Sequence, residues 1–207
     1  MDLIDRPLRD LLAAFSSPDP TPGGGSASAL ASAVGASLLM MVAALEKTRN
    51  ESDDDRAALA SMSTALADIR EQLTAAIDGD TAAYDQVVNA YKLPKATPDE
   101  QRARTAAIQR AMRGATDVPL TVMRLSARAC ERAATIAAHG HRAAASDIGV
   151  AVALLRAGLH GAGLNVEINL GSLVDAAYVE ATRAEAARLA ARAAQAAGEA
   201  DALLRDV

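Results

Sequence analysis

The chain has 207 residues and a formal net charge of −5, with acidic and basic residues mixed along its length. It is 51% hydrophobic but only 2% aromatic, so its core must consist of Ala, Leu, Val, Ile and Met. Alanine-rich sequence favours helices, and the lack of a basic patch with interleaved aromatic residues argues against a nucleic-acid partner. The composition predicts an all-α helical bundle of long Ala-rich helices, forming a single domain over residues 1–207.

Hydrophobic spacing predicts the helices of the first half of the chain. A short amphipathic helix is expected over residues 6–15, followed by a proline-rich loop and a helix over residues 26–48, which carries no charge from residue 26 to residue 45. Gly35 in the middle of that helix predicts a close crossing with another helix. The next periodic stretch covers residues 56–91, and Gly79 is expected to kink or interrupt it.

The second half of the chain has a clear helix start and one internal proline. Residues 97–100, Thr-Pro-Asp-Glu, predict a capping box with proline at the first helical position. Pro119 is expected to bend or restart the helix that follows. A charge-poor helix over residues 143–164 and an Ala/Arg/Glu helix over residues 172–204 complete the predicted fold.

The uncharged helical segment could be either a transmembrane helix or a buried helix of a bundle. It is long enough to cross a bilayer, but Ala, Ser and Gly dominate it and aromatic or lysine anchors are missing at its ends. A buried central helix, or one at a dimer interface, is therefore the favoured interpretation. The single cysteine, Cys130, excludes an intrachain disulfide framework, and the acidic start is unlike a signal peptide. A cytoplasmic protein is expected.

The loop before this helix reads Pro18-Asp19-Pro20-Thr21-Pro22-Gly23-Gly24-Gly25-Ser26. Ser26 is a suitable N-cap, and a bare backbone at a helix start presents free N–H groups to an anionic or carbonyl-rich ligand. The alternative is a flexible turn, or a place where another helix packs closely. The residues leave both interpretations open. They match neither named phosphate loop, so a nucleotide site is not predicted.

Two carboxylates stand out in helix-forming sequence. Asp147 follows three alanines in an apolar segment, where an unpaired carboxylate is costly. It is either an acid–base or cation-binding group, or, with Ser146, the cap of the next helix. Asp80 poses the same choice, since it follows Gly79 and is suited to begin a new helix. Asp80 and Tyr84 share one helical face.

The remaining polar residues can be explained without a functional role. Lys95 lies in a proline-containing loop, and the favoured interpretation is an ordinary solvated lysine. Asn165 and Asn169 are four residues apart in apolar sequence, so their amides need partners, and a structural hydrogen-bond network supplies these. The three histidines do not match a metal-site spacing, and no metal site is predicted.

Several segments together resemble the cyclodeaminase/cyclohydrolase family, which comprises the cyclodeaminase part of formimidoyltransferase-cyclodeaminase and stand-alone methenyltetrahydrofolate cyclohydrolases. They occur in family order over nearly the whole chain. The segments are residues 20–26 (PTPGGGS), 80–84 (DTAAY), 93–95 (LPK), Glu100 with Arg104, 118–119 (VP), 146–151 (SDIGVA) and 165–169 (NVEIN). One departure is the turn at residues 141–145, which is asparagine-rich in the family and reads His-Arg-Ala-Ala-Ala here.

The resemblance implies a homodimer and a folate one-carbon substrate, with no cofactor beyond tetrahydrofolate. It also implies that the glycine loop, the Asp80/Tyr84 face, Lys95 and the helix carrying Asp147 surround the folate. The predicted catalytic residues are Asp147, Lys95 and Asp80, and the predicted substrate-binding residues are Pro22, Gly23, Gly24, Gly25, Ser26, Tyr84, Asn165 and Asn169.

The chemistry of methenyltetrahydrofolate fits these residue types. Its one-carbon unit is a cationic amidinium, so hydrolysis needs a base for water, surroundings that tolerate the cation and a proton for the departing nitrogen. Asp147 or Asp80 suits the first two tasks and Lys95 the third. A cyclohydrolase is favoured, because no formimidoyltransferase domain accompanies the helical domain. The alternatives are a cyclodeaminase that releases ammonia and a non-catalytic folate-binding helical dimer, which the changed turn at residues 141–145 motivates.

Overall fold

The computed structural model describes residues 2–45 and 52–205, and this part of the chain is helical throughout, without strands. Short 3₁₀ turns at Leu3–Asp5 and Arg142–Ala144 precede the first and fifth α-helices. The prediction of an all-α bundle is confirmed. The α-helices are α1 (Leu8–Phe15), α2 (Gly24–Ala44), α3 (Asp53–Tyr91), α4 (Pro98–His139), α5 (Ala145–Leu170) and α6 (Ala176–Arg205).

Helix α2 lies at the centre of the bundle and packs antiparallel against α5. Gly24 faces Asn165 near one end of the pair, and Gly35 faces Ala151 near the other. A Cβ atom on Gly35 would lie 2.8 Å from the carbonyl oxygen of Ala151, and one on Gly158 would lie 2.5 Å from that of Ser28. The close crossing predicted at Gly35 is therefore confirmed, and it requires glycine on both helices.

The start of α2 corrects one prediction. Gly23 is the N-cap, and Ser26 lies inside the first helical turn, where it is fully buried. The described part of the helix ends at Ala44, whereas residue 48, its predicted end, lies outside the described residues. Ser26 serves the fold through its contacts with α3, which place it in the candidate site described below.

The two long helices are continuous, so neither an interruption at Gly79 nor a restart at Pro119 occurs. Gly79 lies within α3 and Pro119 within α4. Proline has no N–H, so the carbonyl oxygen of Ala115, four residues earlier, loses its donor in the helix. The side-chain Nδ2 of Asn169 on α5 donates to that oxygen at 2.8 Å. A side chain from a neighbouring helix thus replaces the hydrogen-bond donor that proline lacks, and α4 continues without interruption.

The predicted capping box at the start of α4 is confirmed. Thr97 is the N-cap, its side chain accepts from the N–H of Glu100, and the Glu100 carboxylate accepts from the N–H of Thr97. By contrast, neither Ser146 nor Asp147 caps α5, because the N-cap there is Ala144 and it has no side-chain cap. The preceding 3₁₀ turn leads into α5 and removes the need for that cap.

Two segments are long and apolar enough to cross a membrane by length and composition alone, Gly24–Ala44 and Arg142–Leu170. Within the fold, 50% of the apolar window of the first and 39% of the second are buried. Each helix thus buries one side in the bundle core and leaves another side uncovered.

Candidate functional site

The first turn of α2 is held by a carboxylate from α3. The backbone N–H of Ser26 donates to Asp80 Oδ2 at 2.9 Å. The Ser26 hydroxyl donates to the carbonyl oxygen of Ile77 at 2.8 Å and lies 3.1 Å from the same Asp80 oxygen. Gly23 has no side chain with which to cap the helix, so Asp80 supplies the cap from the neighbouring helix.

Gly25 permits the close approach of this carboxylate. A Cβ atom at position 25 would lie 2.0 Å from Asp80 Oδ1 and 2.4 Å from its Cγ, so any side chain would displace the carboxylate. The two interpretations of the glycine loop therefore combine. The loop allows tight packing, and the anionic group that its helix start binds is the protein's own Asp80.

Asp80 lies in an unusual electrostatic setting for an aspartate. Burial raises the pKa of its carboxyl group, and the hydrogen bonds from Ser26 partly oppose that rise. Within the described residues, Oδ1 accepts no hydrogen bond, while Oδ2 accepts from Ser26. One oxygen is thus fixed by the protein and the other is free to accept a proton from a water or a ligand.

Asn165 lies against the same glycine loop from α5, and Tyr84 follows Asp80 on α3. A Cβ atom on Gly24 would lie 3.4 Å from Asn165 Nδ2, and that amide donates to the carbonyl oxygen of Gly161 at 2.9 Å. Tyr84 lies one helical turn beyond Asp80 and is 40% exposed. We call this group the Asp80 cluster; its residues are Gly24, Gly25, Ser26, Asp80, Tyr84 and Asn165.

Three further predicted binding residues occupy structural positions. Asn169 donates its amide to Ala115 on α4, as described above. Gly23 accepts the first intrahelical hydrogen bond of α2, from Ala27 N–H at 3.1 Å. Pro22 follows a cis peptide bond with Thr21 and lines a cavity on the far side of the loop.

Asp147 and Lys95 lie apart from the cluster within this chain. Asp147 is in the first turn of α5, eighteen residues before Asn165 on the same helix, which corresponds to about 27 Å. Lys95 is exposed in the loop after α3, whose last residue, Tyr91, lies about 16 Å along the helix from Asp80. The structure therefore brings together the glycine loop, Asp80, Tyr84 and Asn165, but neither Asp147 nor Lys95.

The cavity beside Pro22 was not predicted. It has a volume of about 530 Å³ and lies between the N-terminal segment, the proline loop and α3. Asp78 Oδ1 accepts from the N–H of Leu3 at 2.6 Å, while its Oδ2 and the hydroxyl of Thr81 are buried and have no hydrogen-bond partner among the described residues. The spacing of Asp78, Thr81 and Asp85 on one face of α3 is the sequence signal that marks this cavity.

Metal chemistry has no ligand set in the part of the chain that the structure describes. No group of three or more His, Cys, Asp or Glu side chains there is arranged to hold a metal ion.

Comparison with known proteins identifies the relatives of this fold. A sequence model described as formiminotransferase-cyclodeaminase matches residues 7–188. The chain belongs to this family. The resemblance inferred from the motifs is confirmed.

Two relatives differ in the share of their own length that aligns with this chain. It is 39% identical over 173 residues to the methenyltetrahydrofolate cyclohydrolase of Methylorubrum extorquens, an alignment that covers 84% of this chain and 83% of that protein. It is 31% identical over 193 residues to the formimidoyltransferase-cyclodeaminase of Gallus gallus, which covers 93% of this chain and 36% of that protein. The chain thus spans about a third of the bifunctional relative.

The fold also has a counterpart among crystal structures. The formiminotetrahydrofolate cyclodeaminase of Thermotoga maritima matches with a TM-score of 0.87, over 98% of this chain and 97% of that chain. The two sequences are 23% identical, so this likeness shows a shared fold.

Proposed function

We propose that the protein is a methenyltetrahydrofolate cyclohydrolase, which hydrolyses 5,10-methenyltetrahydrofolate to 10-formyltetrahydrofolate. The observation that carries this proposal is the 39% identity to a cyclohydrolase over more than four fifths of both chains. Formimidoyltetrahydrofolate cyclodeamination is the second candidate, favoured by the matches to bifunctional relatives at 31% identity and above. Both reactions pass through a tetrahedral carbon between two nitrogens, so the same groups serve either.

Asp80 is the proposed general base. Its Oδ1 receives a proton from water as the water oxygen attacks the amidinium carbon between N5 and N10. The bond from that carbon to N5 then breaks as N5 takes the proton back from Asp80. The hydroxyl proton leaves to solvent water, so the formyl group stays on N10 and the Asp80 carboxylate is regenerated. Burial raises the pKa of Asp80, so its carboxylate is a stronger base than that of an ordinary aspartate.

The other members of the Asp80 cluster are proposed to hold the substrate. The Tyr84 ring offers an exposed face on which the aromatic part of the folate stacks. The amide oxygen of Asn165 accepts no hydrogen bond within the described residues, so it is available to an N–H group of the substrate. Gly23 and the glycines after it form the adjacent wall. Lys95, exposed in its loop, is proposed to meet the anionic glutamate end of the folate.

We also propose that the protein acts as a homodimer. Helices α2 and α5 bury one side in the core and expose apolar side chains on the opposite side. We call this surface the outer face, and its residues are Val34, Met41, Leu45, Val150, Leu164 and Ile168. An apolar surface of this extent is typical of an interface.

The test is an assay of the purified protein with each substrate against its spontaneous reaction. Faster loss of the methenyl absorbance, abolished in the Asp80→Asn variant, supports the cyclohydrolase. Ammonia release with formation of the methenyl compound from formimidoyltetrahydrofolate supports the cyclodeaminase. Folate binding without turnover of either substrate overturns both and leaves a non-catalytic binding protein.

A further inference from the structure

The face of α3 that carries Asp80 is open in one direction along the helix and closed in the other. Towards the start of α3, the same face carries Leu73 and Ile77, which are buried in the core. Towards its end, the face carries Tyr84 and Tyr91, which are 40% and 50% exposed. A substrate that reacts at Asp80 and lies along α3 therefore extends past Tyr84, towards the loop that follows Tyr91.

The loop between α3 and α4, residues 92–97, is held by side chains from the first turns of α4. The carboxylate of Glu100 accepts from the N–H of Ala96 at 2.7 Å. The side-chain Nε2 of Gln101 donates to the carbonyl oxygen of Lys95 at 3.1 Å. The peptide group between Lys95 and Ala96 is thus held at both its oxygen and its N–H, which fixes the point where the Lys95 side chain leaves the backbone.

Arg104 on α4 holds the other end of this loop. Its Nε and Nη2 donate to the carbonyl oxygen of Tyr91, the last residue of α3, at 3.2 and 3.0 Å. Its guanidinium carbon also lies over the Tyr91 ring, 5.4 Å from the ring centre. One partly buried side chain thus fixes both the exposed ring and the point where the chain leaves α3.

The loop carries positive charge that the described residues leave without a counterpart. Residues 86–104 contain four basic and two acidic side chains, in a chain whose net charge is −5. Both acids already have partners, since Asp99 pairs with Arg102 and Glu100 accepts from the loop backbone. Neither lysine of the loop forms an ion pair or a side-chain hydrogen bond with a residue that the structure describes. Ordering a loop costs conformational entropy, so an anion that binds to this already ordered loop avoids that cost.

We propose that Arg104 is a positioning residue of the folate site, which anchors the loop through Tyr91 so that the Lys95 ammonium meets the carboxylates of the substrate's glutamyl end. This inference rests on the proposed function. The substrate then runs from the reacting carbon at Asp80, across the Tyr84 ring, to the loop. Arg104 touches no reacting atom, because its anchor Tyr91 lies about 16 Å along α3 from Asp80. It therefore acts on substrate binding and leaves the chemical step unchanged.

The first experiment compares two substrates that differ at the glutamyl end, 5,10-methenyltetrahydrofolate and the glutamate-free 5,10-methenyltetrahydropteroate. Arg104→Ala is expected to raise KM for the folate by about 10-fold and to change kcat by less than about 2-fold, because binding is lost equally in the ground and transition states. With the pteroate, KM should change by less than about 2-fold, since the carboxylates that Lys95 meets are missing. Arg104→Lys still donates one hydrogen bond to the Tyr91 oxygen and should give an intermediate KM.

Arg102→Ala is the matched control for the loss of charge. It removes one positive charge from the same part of α4, but Arg102 pairs with the exposed Asp99 and does not contact the loop. KM for both substrates should therefore stay within about 2-fold of the wild-type value. Circular dichroism and thermal unfolding check the fold of each variant. An equal rise in KM for both substrates, a comparable effect of Arg102→Ala, or a fall in kcat alone overturns the inference.

A double substitution tests whether Arg104 acts through Lys95. Lys95→Ala should raise KM for the folate, and in that background Arg104→Ala should add less than about 2-fold, because the group that it positions is gone. Gln101→Ala removes the donor to the Lys95 carbonyl oxygen and provides the same comparison in a chain that keeps Arg104, even if Arg104→Ala does not fold. Effects that multiply independently of Lys95 overturn the inference.

Binding measured without turnover separates this inference from the proposed function. In titration calorimetry with tetrahydrofolate and tetrahydropteroate, Arg104→Ala should lose affinity for the folate alone. That result in a protein that turns over neither methenyl nor formimidoyl substrate refutes the proposed function and supports the binding role of the loop. Turnover in which Arg104→Ala changes neither KM nor affinity refutes this inference alone. A wild-type protein that binds neither probe refutes both.

Discussion

Asp80 has a structural role in the fold and, in the proposed reaction, a chemical one. Its Oδ2 caps a helix whose own N-cap, Gly23, has no side chain, and its Oδ1 remains open to a substrate. Since burial raises its pKa, the ionised form is disfavoured in the folded protein. This contribution to the free energy of unfolding improves as pH falls through the raised pKa, and the penalty is present above it.

Asp80→Asn separates these two tasks. The Asn amide oxygen still accepts from Ser26, and the ionised carboxylate is gone, so the variant is expected to be at least as stable as the wild type at pH 7. Its cyclohydrolase rate is expected to fall by about 100-fold or more. Chemical denaturation and the absorbance assay measure the two effects. Strong destabilisation with retained activity per folded molecule would assign Asp80 to the fold alone.

The pH profile gives a second measurement on the same residue. The wild-type kcat/KM is expected to decline as pH falls through the raised pKa of Asp80, because protonation removes the base. This acidic decline of kcat/KM should occur at a pH above the ordinary pKa range of an aspartate. If kcat/KM stays constant as the pH is lowered to the ordinary pKa range of an aspartate, the assignment of Asp80 as the base is wrong.

Gly25→Ala tests the close approach of the carboxylate. The new Cβ atom would overlap Asp80, so we expect the carboxylate to move, the capping bonds to weaken and activity to fall by about 10-fold or more. Gly198→Ala is the matched control, since it lies on the exposed side of α6 with nothing within 4 Å of the new atom. It should raise the free energy of unfolding by about 0.5–1 kcal/mol without changing activity.

At the scale of elements, the bundle depends on contacts that cross between helices. Ser126 on α4 donates to Ser32 on α2 at 2.7 Å, and Gly158 on α5 gives α2 the room to approach. Arg124 pairs with Glu185, and Arg192 with Glu131, to join α4 to α6 at the surface. The exposed pairs contribute little each, so the close α2–α5 packing sets the position of the Asp80 cluster.

The hydrogen bond from Asn169 to the carbonyl group that Pro119 leaves without a backbone donor predicts coupled substitutions. Asn169→Leu leaves the Ala115 carbonyl oxygen without a donor and is expected to cost about 1–3 kcal/mol of unfolding free energy. Pro119→Ala restores the backbone N–H, so in that background the same Asn169 substitution should cost much less. Denaturation of the four proteins measures the coupling. Additive effects would show that Asn169 acts elsewhere, for example on the substrate.

At the scale of the whole molecule, the outer face is the proposed dimer interface. Val34→Arg places a charge in the middle of this face, so it is expected to dissociate the dimer while the helical circular dichroism is retained. Val174→Arg is the matched control, because Val174 is 81% exposed after α5 and lies outside the outer face. Light scattering measures both variants. Equal dimer mass in both would place the interface on another surface.

Much of the fold follows from residues whose preferences are local. The alanine-rich periodic sequence, the capping box at residues 97–100 and the glycine at position 35 each predict what the structure contains, since propensity, capping and close packing act over one or two turns. The grouping of residues 20–26 with Asp80 was predicted through family resemblance. Spacing alone left Asp80 as a possible helix start.

The errors share one physical cause. The sequence suggested breaks at Gly79 and Pro119 and a cap at Ser26, because these residues are unfavourable or unsatisfied within an isolated helix. In the bundle, Asn169 supplies the donor that Pro119 removes, and Asp80 supplies the cap that Gly23 lacks. By itself, the sequence determined the helical class, the composition of the core and the candidate chemical groups. Only the tertiary structure decided which groups meet, because partners 54 residues apart interact through helix packing that no local pattern encodes.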